Sequence, residues 1–142
     1  MLVTGASGEV RMEKGNSGLP AREAASFKKL VKCWEEKQWK VGLRLAKQIL
    51  ATRGCAEHGE TLALRGLLLL GIGRREDAMA EVRRGLQAGL TSARCWHAFG
   101  LLCRAERKFG EAIKSFKHAL RLEPTNLMIV RDLAVLQVCP LL

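Results

Sequence analysis

The chain has 142 residues, about the size of one domain, and 48% of them are hydrophobic while 27% are charged. This balance excludes a disordered or fibrous chain, and no apolar run approaches the roughly 20 residues that a membrane-spanning helix needs. Lysine and arginine number 24 against 14 acidic residues, so the formal net charge is +10. Such an excess suits an acidic partner, such as nucleic acid or anionic lipid, without identifying one.

The cysteines do not follow a disulfide or zinc-binding pattern. Their number is odd, and no two of them form a C-x-x-C pair. The first eight residues also lack the basic-then-apolar layout of a signal peptide. We therefore expect free, mostly buried thiols in a reducing compartment, a cytoplasmic location and no bound metal. The cysteines are Cys33, Cys55, Cys95, Cys103 and Cys139.

In chain order, the pattern predicts a flexible arm, a helical region and a short tail. Residues 1–20 are rich in glycine and serine and have no apolar period, which indicates the arm. From 21 to 138 apolar residues recur at helical spacing, and no segment alternates as a strand would. Residues 139–142 form the C-terminal tail. The predicted helices are 23–36, 40–51, 58–71, 75–88, 93–106, 109–122 and 127–138.

A repeat of about 34 residues organises the helices. The segment 93–126 resembles the tetratricopeptide (TPR) pattern, in which small, aromatic and proline residues recur at fixed positions. Here they are Trp96, Gly100, Ala112, Phe116, Ala119 and Pro124. Moving back by 34 residues aligns Gly66, Ala78 and Gly85 with this set, and moving back by 70 aligns Gly42, Ala46 and Ile49.

This repeat predicts the fold. In each unit two helices cross closely at small residues such as Gly100 and Ala112, and large residues such as Phe116 fill the space beside the crossing. One hairpin leaves an apolar face exposed, so several must stack. We therefore predict an all-α, tetratricopeptide-repeat helical solenoid over residues 21–138, with about three helix hairpins plus one unpaired C-terminal helix.

The last predicted helix, 127–138, has almost no polar face. Asn126 is a suitable N-cap for it. A terminal repeat usually carries a polar outer face, so the chain looks cut within a fourth repeat. The apolar surface also makes self-association through this helix a hypothesis.

Several runs of residues resemble one family closely, the auxiliary, ribosome-anchoring subunit of the N-terminal acetyltransferase A (NatA) complex. The similarity covers about residues 19–137, which correspond to the first part of that longer subunit. The runs are 47–50 (KQIL), 56–63 (AEHGETLA), 82–86 (VRRGL), 95–97 (CWH) and 126–133 (NLMIVRDL).

The resemblance implies a non-catalytic scaffold without a cofactor of its own. Subunits of this family form a helical solenoid that wraps a separate acetyltransferase subunit and tethers it near the ribosomal exit tunnel, and acetyl-CoA belongs to that catalytic partner. The expected partners are therefore the NatA catalytic subunit and the ribosome, with no membrane. Residues 1–18 and 139–142 depart from the family pattern, which suggests an alternative or truncated product.

Basic residues are concentrated in two segments. Residues 21–56 carry nine lysines and arginines against three acids, and residues 93–126 carry seven against three. At helical and repeat spacing most of these residues share faces of the second helices, so we predict a basic ridge on the convex side, and three lysines of the first helix add charge at its N-terminal end. The ridge either contacts ribosomal RNA phosphates or is a solvated face that keeps the solenoid soluble. It comprises Lys28, Lys29, Lys32, Lys40, Arg44, Lys47, Arg83, Lys114, Lys117 and Arg121.

The first helices are predicted to line a concave groove. It lacks the lysines and asparagines with which chaperone-binding repeats hold a peptide carboxylate. An apolar helix suits it better, so the alternative function is a generic TPR adaptor that binds a helical peptide of a partner. The predicted groove residues are Ala63, Leu67, Leu70, His97, Leu101 and Arg104.

Three short motifs imitate other chemistry. The pair His58 and Glu60 imitates a zinc deaminase motif without its cysteines, and we expect it to open a helix instead. Gly71-Ile72-Gly73 imitates a dinucleotide fingerprint, but the repeat register predicts a turn. The final four residues fit a prenylation box without a second basic signal, so the state of Cys139 stays open. No catalytic set has persuasive spacing, and we predict no enzyme activity.

Overall fold

The computed structural model describes residues 18–138, which form seven α-helices. No residue of this range lies in a strand, and each helix begins and ends within two residues of its prediction. The all-α fold is therefore confirmed. Residues 1–17 of the predicted arm and the tail 139–142, with Cys139, lie outside the described residues. The helices are α1 (Ala21–Glu35), α2 (Trp39–Ala51), α3 (Gly59–Gly71), α4 (Arg75–Ala88), α5 (Ala93–Ala105), α6 (Phe109–Leu122) and α7 (Leu127–Val138).

The three hairpins α1–α2, α3–α4 and α5–α6 close through the same turn. At its centre Lys37, Gly73 and Arg107 adopt left-handed backbone angles, with φ of 59°, 86° and 61°. In every turn the central N–H donates to the carbonyl three residues earlier, and the next N–H donates to the carbonyl five residues earlier. These two hydrogen bonds satisfy carbonyl groups at the end of the first helix, and the turn reverses the chain direction.

Glycines allow the two helices of a hairpin to approach closely. A Cβ at Gly66 would lie 2.4 Å from Val82 Cγ2 and 3.0 Å from the backbone oxygen of Ala78. At Gly100 the nearest atoms belong to the ring of Phe116, at 2.5 Å, and this ring is fully buried. The absence of a side chain at Gly66 thus leaves room for the backbone of α4, and its absence at Gly100 leaves room for the Phe116 ring.

The hairpins stack in chain order. The second helix of each hairpin packs against the first helix of the next one, α2 on α3 and α4 on α5, and α3 also contacts α1 and α5. Trp39 at the start of α2 covers Gly71 at the end of α3, where a Cβ would lie 2.7 Å from the indole ring. The TPR solenoid prediction is confirmed.

Helix α7 packs against α6 and, within the described residues, has no following helix to pair with. Asn126 caps it as predicted, because its Oδ1 accepts hydrogen bonds from the N–H groups of Met128 and Ile129 at 3.1 and 3.3 Å. Its outward apolar side chains are exposed, among them Leu127 and Val138. Among residues 18–138, no helix combines the length and the apolar character needed to cross a membrane.

Two of the imitating motifs have the structural roles expected of them. His58 is the N-cap of α3, and its Nδ1 accepts a hydrogen bond from the N–H of Thr61 at 3.3 Å. Gly73 is the centre of the α3–α4 turn. The four cysteines within the described residues are free and buried, as the sequence indicated.

Candidate partner-binding surfaces

The basic ridge residues are all exposed. Three lie on α1, three on α2, one on α4 and three on α6. Lys32 lies 4.0 Å from Glu36, an exposed pair of i and i+4 residues, and Arg121 lies 3.2 Å from His118 Nδ1. The other eight make no ion pair with any residue in 18–138. Their charges are therefore available to an acidic partner.

The stack brings the ridge residues of α2, α4 and α6 to corresponding positions of successive hairpins. Arg44 precedes Lys114 by the same 70 residues that separate the buried Ala46 and Phe116. Each of these helices packs against a first helix, α2 on α3 and α4 on α5, which separates one second helix from the next. Whether the charges act together as one ridge stays a prediction.

The predicted groove residues divide into buried and partly exposed ones. Ala63, Leu67 and Leu101 are buried among the core side chains of the hairpins. Leu70 and Arg104 are partly exposed. The sixth residue, His97, is 7% exposed and reaches a cavity on the same side of the stack. Only the two partly exposed side chains and His97 can therefore contact a partner without rearrangement, whereas the three buried residues belong to the core.

The His97 ring is held by three other elements. Its Nε2 donates to Asp132 Oδ2 on α7 at 2.7 Å. The indole of Trp34 on α1 meets it edge-on, with ring centroids 6.5 Å apart, and the ring of Phe116 on α6 lies at 5.6 Å. His97 therefore links α5 to α1, α6 and α7.

Asp132 is surrounded by positive groups. Its Oδ1 lies 3.6 Å from Arg104 and 3.7 Å from Arg131. Burial raises the pKa of Asp132, but the hydrogen bond and charge of His97 and the two arginines outweigh it, so the net effect lowers this pKa. A buried carboxylate on a largely apolar helix is thus kept ionised by its neighbours.

A cavity of about 380 Å³ opens between the first helices, at the turn from α6 to α7. We call it the first-helix cavity. It is larger than the space of one side chain, and apolar, aromatic and charged groups share its walls. The residues lining it are Val31, Trp34, Glu35, Glu60, Arg94, His97, Leu122, Glu123, Pro124, Thr125, Asn126, Met128 and Ile129.

Glu60 is the most deeply buried acid of this lining, with 8% of its surface exposed. Ser92 Oγ donates to Glu60 Oε2 at 2.7 Å, whereas Oε1 has no hydrogen-bond partner among the described residues. Burial raises the pKa of Glu60, and the Ser92 hydrogen bond and the charge of Arg94 offset this only in part.

Sequence reasoning missed the contributions of α1 to this surface, although one signal could have revealed them. The first two turn centres, Lys37 and Gly73, are 36 residues apart, whereas the next two are 34 apart. The extra residues lie in the long connection between α2 and α3. Subtracting 36 from the predicted groove positions Leu67 and Leu70 gives Val31 and Trp34, which both line the cavity.

The described residues hold no group of three or more histidine, cysteine or acidic side chains arranged for a metal ion. What the surfaces offer is charge, apolar area and hydrogen-bonding groups suited to another macromolecule.

The repeat architecture has known counterparts. Residues 93–126 match the family described as Tetratricopeptide repeat. The first TPR domain of human RPAP3 superposes with a TM-score of 0.65 over 81% of this chain and 89% of that chain. At 14% identity, this likeness shows the fold alone.

Other proteins are much more similar in sequence. N-alpha-acetyltransferase 16, NatA auxiliary subunit, of Mus musculus is 51% identical over 120 residues, and the N-terminal acetyltransferase A complex auxiliary subunit NAA15 of Arabidopsis thaliana is 46% identical over 121 residues. The solved structure of Naa15/Naa10 bound to HypK-THB superposes with a TM-score of 0.77 at 42% identity, over 83% of this chain. This chain is a relative of the NatA auxiliary subunits.

The matches to NatA auxiliary subunits cover 84% and 85% of this chain but only 14% and 13% of the two curated relatives, and 17% of the solved chain. The resemblance predicted from sequence motifs is confirmed. Two of those NatA-like motifs, 95–97 and 126–133, contain the bonded residues His97 and Asp132, so the motifs meet in space at the joint of α5 and α7.

Proposed function

We propose that this chain is a non-catalytic auxiliary component of a NatA-type N-terminal acetyltransferase and acts in the cytoplasm as a TPR scaffold. The observation that carries the proposal is the 46–51% identity to NatA auxiliary subunits over most of the chain. Acetyl-CoA binding and acetyl transfer then belong to a partner subunit, and this chain needs no cofactor of its own. The chain spans about one seventh of its curated relatives, so their assemblies are proposed for it rather than transferred to it.

The first proposed partner is the catalytic acetyltransferase subunit. Support comes from the relative Naa15, whose solved structure also contains Naa10. The test is co-purification of tagged chain with untagged Naa10, with the first RPAP3 TPR domain as a control of the same fold. We expect Naa10 to co-purify with this chain only. Recovery with both domains, or with neither, contradicts this part of the proposal.

The second proposed partner is the ribosome, contacted through the basic ridge. The ridge residues are exposed, and most make no ion pair within residues 18–138, so phosphates could replace their counterions. Binding of this kind weakens steeply with salt, by roughly 10³- to 10⁵-fold between about 50 and 200 mM when six to ten phosphates are contacted. An apolar peptide in the concave groove, the alternative function, would not show this dependence.

Charge reversal tests the ribosome contact. Changing Arg44, Lys47, Lys114 and Lys117 to glutamate should abolish co-sedimentation with purified ribosomes at low salt. A control changes four exposed basic residues outside the ridge to glutamate, which alters the net charge equally: Arg22, Lys37, Arg53 and Lys108. We expect the control to retain most of the binding. Equal losses in both variants would mean that net charge alone drives the association, and no loss would make the ridge a solubility feature.

The third proposed contact is self-association through α7. Leu127 and Val138 are 80% and 73% exposed, and Val130 and Val135 are 41% exposed on the same short helix. Sedimentation velocity of the full chain should show a dimer that the double change Val130→Glu and Val135→Glu converts to monomer. A wild-type chain that stays monomeric at high concentration contradicts the contact.

A further inference from the structure

The first-helix cavity carries a charge opposite to that of the whole molecule. Three carboxylates line it, those of Glu35, Glu60 and Glu123, against the single arginine Arg94. The chain around them has a net charge of +10. A cationic ligand is therefore repelled by the molecule as a whole and attracted at this cavity, so preference for a cation here would reflect the local groups.

Glu60 supplies an observation independent of the charge count. It is more than nine-tenths buried, and its Oε1 has no hydrogen-bond partner within residues 18–138. A buried carboxylate oxygen without a donor is costly, and a ligand that brings one removes that cost. Arg94 and Glu60 form no ion pair among the described residues, and the Arg94 guanidinium instead lies over the ring of Phe27, 5.6 Å from its centroid.

Arg94 itself lacks one partner. Its Nε is buried without an acceptor among the described residues. Two residues that line the cavity thus each have an unpartnered polar atom, an acceptor on Glu60 and a donor on Arg94. An amino-acid residue within a peptide offers both complements, a donating side chain and an accepting backbone carbonyl.

The remaining walls suit a long cationic side chain. Trp34 places an indole beside the carboxylates, and aromatic rings attract ammonium and guanidinium groups. Val31 and Met128, both partly exposed, add apolar surface against which a methylene stem can lie. The volume of about 380 Å³ falls within the range of ligand pockets.

We propose that the first-helix cavity binds a lysine or arginine side chain presented by an extended peptide segment of a partner protein, with Glu60 as the main acceptor. This is the reverse of a carboxylate clamp, because the repeat contributes acids and the peptide contributes the cation. None of the ten basic ridge residues lines the cavity, so the inference holds whether or not that ridge binds the ribosome.

Binding of degenerate nonapeptides to the full chain tests the proposal. Each dye-labelled pool has uncharged residues at every position except the central one, which is lysine, arginine, norleucine or Nε-acetyllysine. Fluorescence polarisation gives the dissociation constant for each pool. We expect the lysine and arginine pools to bind about tenfold more tightly than the two neutral pools, as a charge-assisted hydrogen bond requires.

Single substitutions test whether the preference for the lysine and arginine pools arises in the first-helix cavity. Glu60→Gln, which keeps an acceptor for Ser92, should reduce the preference to less than about threefold. The exposed Glu76 on α4 provides the matched control, and Glu76→Gln should leave the preference unchanged. Circular dichroism checks the fold of each variant, and Glu35→Gln and Trp34→Leu carry the same test if Glu60→Gln does not fold.

Three results would overturn the proposal. Equal affinities for the lysine and norleucine pools would mean that the cavity does not recognise a cation. An unchanged preference in folded Glu60→Gln protein and in the other two cavity variants would place recognition elsewhere. Binding of free spermine without binding of the lysine pool would identify a small polyamine, rather than a peptide, as the cation.

Discussion

His97 Nε2 on α5 donates to Asp132 Oδ2 on α7 at 2.7 Å, and both residues are more than nine-tenths buried. The bond crosses from the last complete hairpin to the helix that follows it. Because α7 otherwise packs mainly on α6, this polar contact fixes its orientation toward the first-helix side of the stack.

Asp132→Asn should lower the free energy of unfolding by about 1.5–3 kcal/mol, the range for a hydrogen bond to a charged group. The folded-state pKa of Asp132 is lowered, so its stabilising effect is complete above 3.8, the usual value, and is lost as the pH falls through the folded value. Urea unfolding at pH 7 and near pH 3 measures the difference. The matched change Asp77→Asn, in an exposed pair with Arg74, should cost less than about 1 kcal/mol. Equal effects of the two changes would contradict a structural role for the bond.

Glu60→Gln should stabilise the free chain at neutral pH. The folded-state pKa of Glu60 is raised, so the wild-type chain loses stability as the pH rises from 4.5, the usual value, through the folded value. Glutamine has no charge to ionise, and the gap between variant and wild type should widen over this window and then stay constant. Urea midpoints from pH 4 to pH 8 provide the measurement, with Glu76→Gln at an exposed position as the control. A gap that narrows with rising pH would mean that Glu60 is stabilised as the anion.

Lys37→Gly and Arg107→Gly should each raise stability by about 0.5–1 kcal/mol. Both residues have positive φ, which is costly for a side chain with a Cβ and free for glycine. The α3–α4 turn already has Gly73 at this position. Thermal unfolding checks the gain, and Lys47→Gly, an exposed position inside α2, should instead cost about 1 kcal/mol. Loss of stability in both turn variants would show that side-chain contacts outweigh the backbone strain.

Gly66→Ala should lower stability by about 1–3 kcal/mol, because the new Cβ would overlap Val82 and press on the backbone of α4. Gly110 on α6 is the matched control, since a Cβ there meets no atom within 4 Å. Gly110→Ala should therefore stabilise the chain by up to about 1 kcal/mol. Chemical unfolding of both variants distinguishes the two sites, and a neutral Gly66→Ala would mean that the hairpin can open without cost.

Much of the fold could be predicted because its determinants are local. Asn126 caps α7 and His58 caps α3 through bonds to residues two or three positions away, and Gly73 is a residue that turns favour. The left-handed Lys37 and Arg107 give no such sign, so their turns were located only through the repeat. Ordinary side chains can occupy this conformation when the flanking helices hold it.

The candidate site was less predictable because it depends on contacts between distant segments. His97 could be placed on the first-helix side, but its bond to Asp132 joins residues 35 positions apart, and nothing in either motif specifies the pair. Glu60 is the acidic residue expected in the first turn of α3. Its burial and its unpartnered Oε1, however, follow from the packing of the start of α5 against it. Trp34 was missed because the groove was predicted only from the second and third hairpins, although the offset of 70 residues that aligns the first hairpin places Trp34 at the position of Arg104.

The turns within the hairpins are uniform, whereas the connections between the hairpins vary. Each hairpin is closed by its own three-residue turn, whose backbone bonds do not involve neighbouring repeats. The connections between hairpins differ in length, seven residues between α2 and α3 but four between α4 and α5. Evolution can therefore adjust the pitch of the superhelix, and with it the shape presented to partners, by insertions and deletions in the connections while every hairpin remains intact.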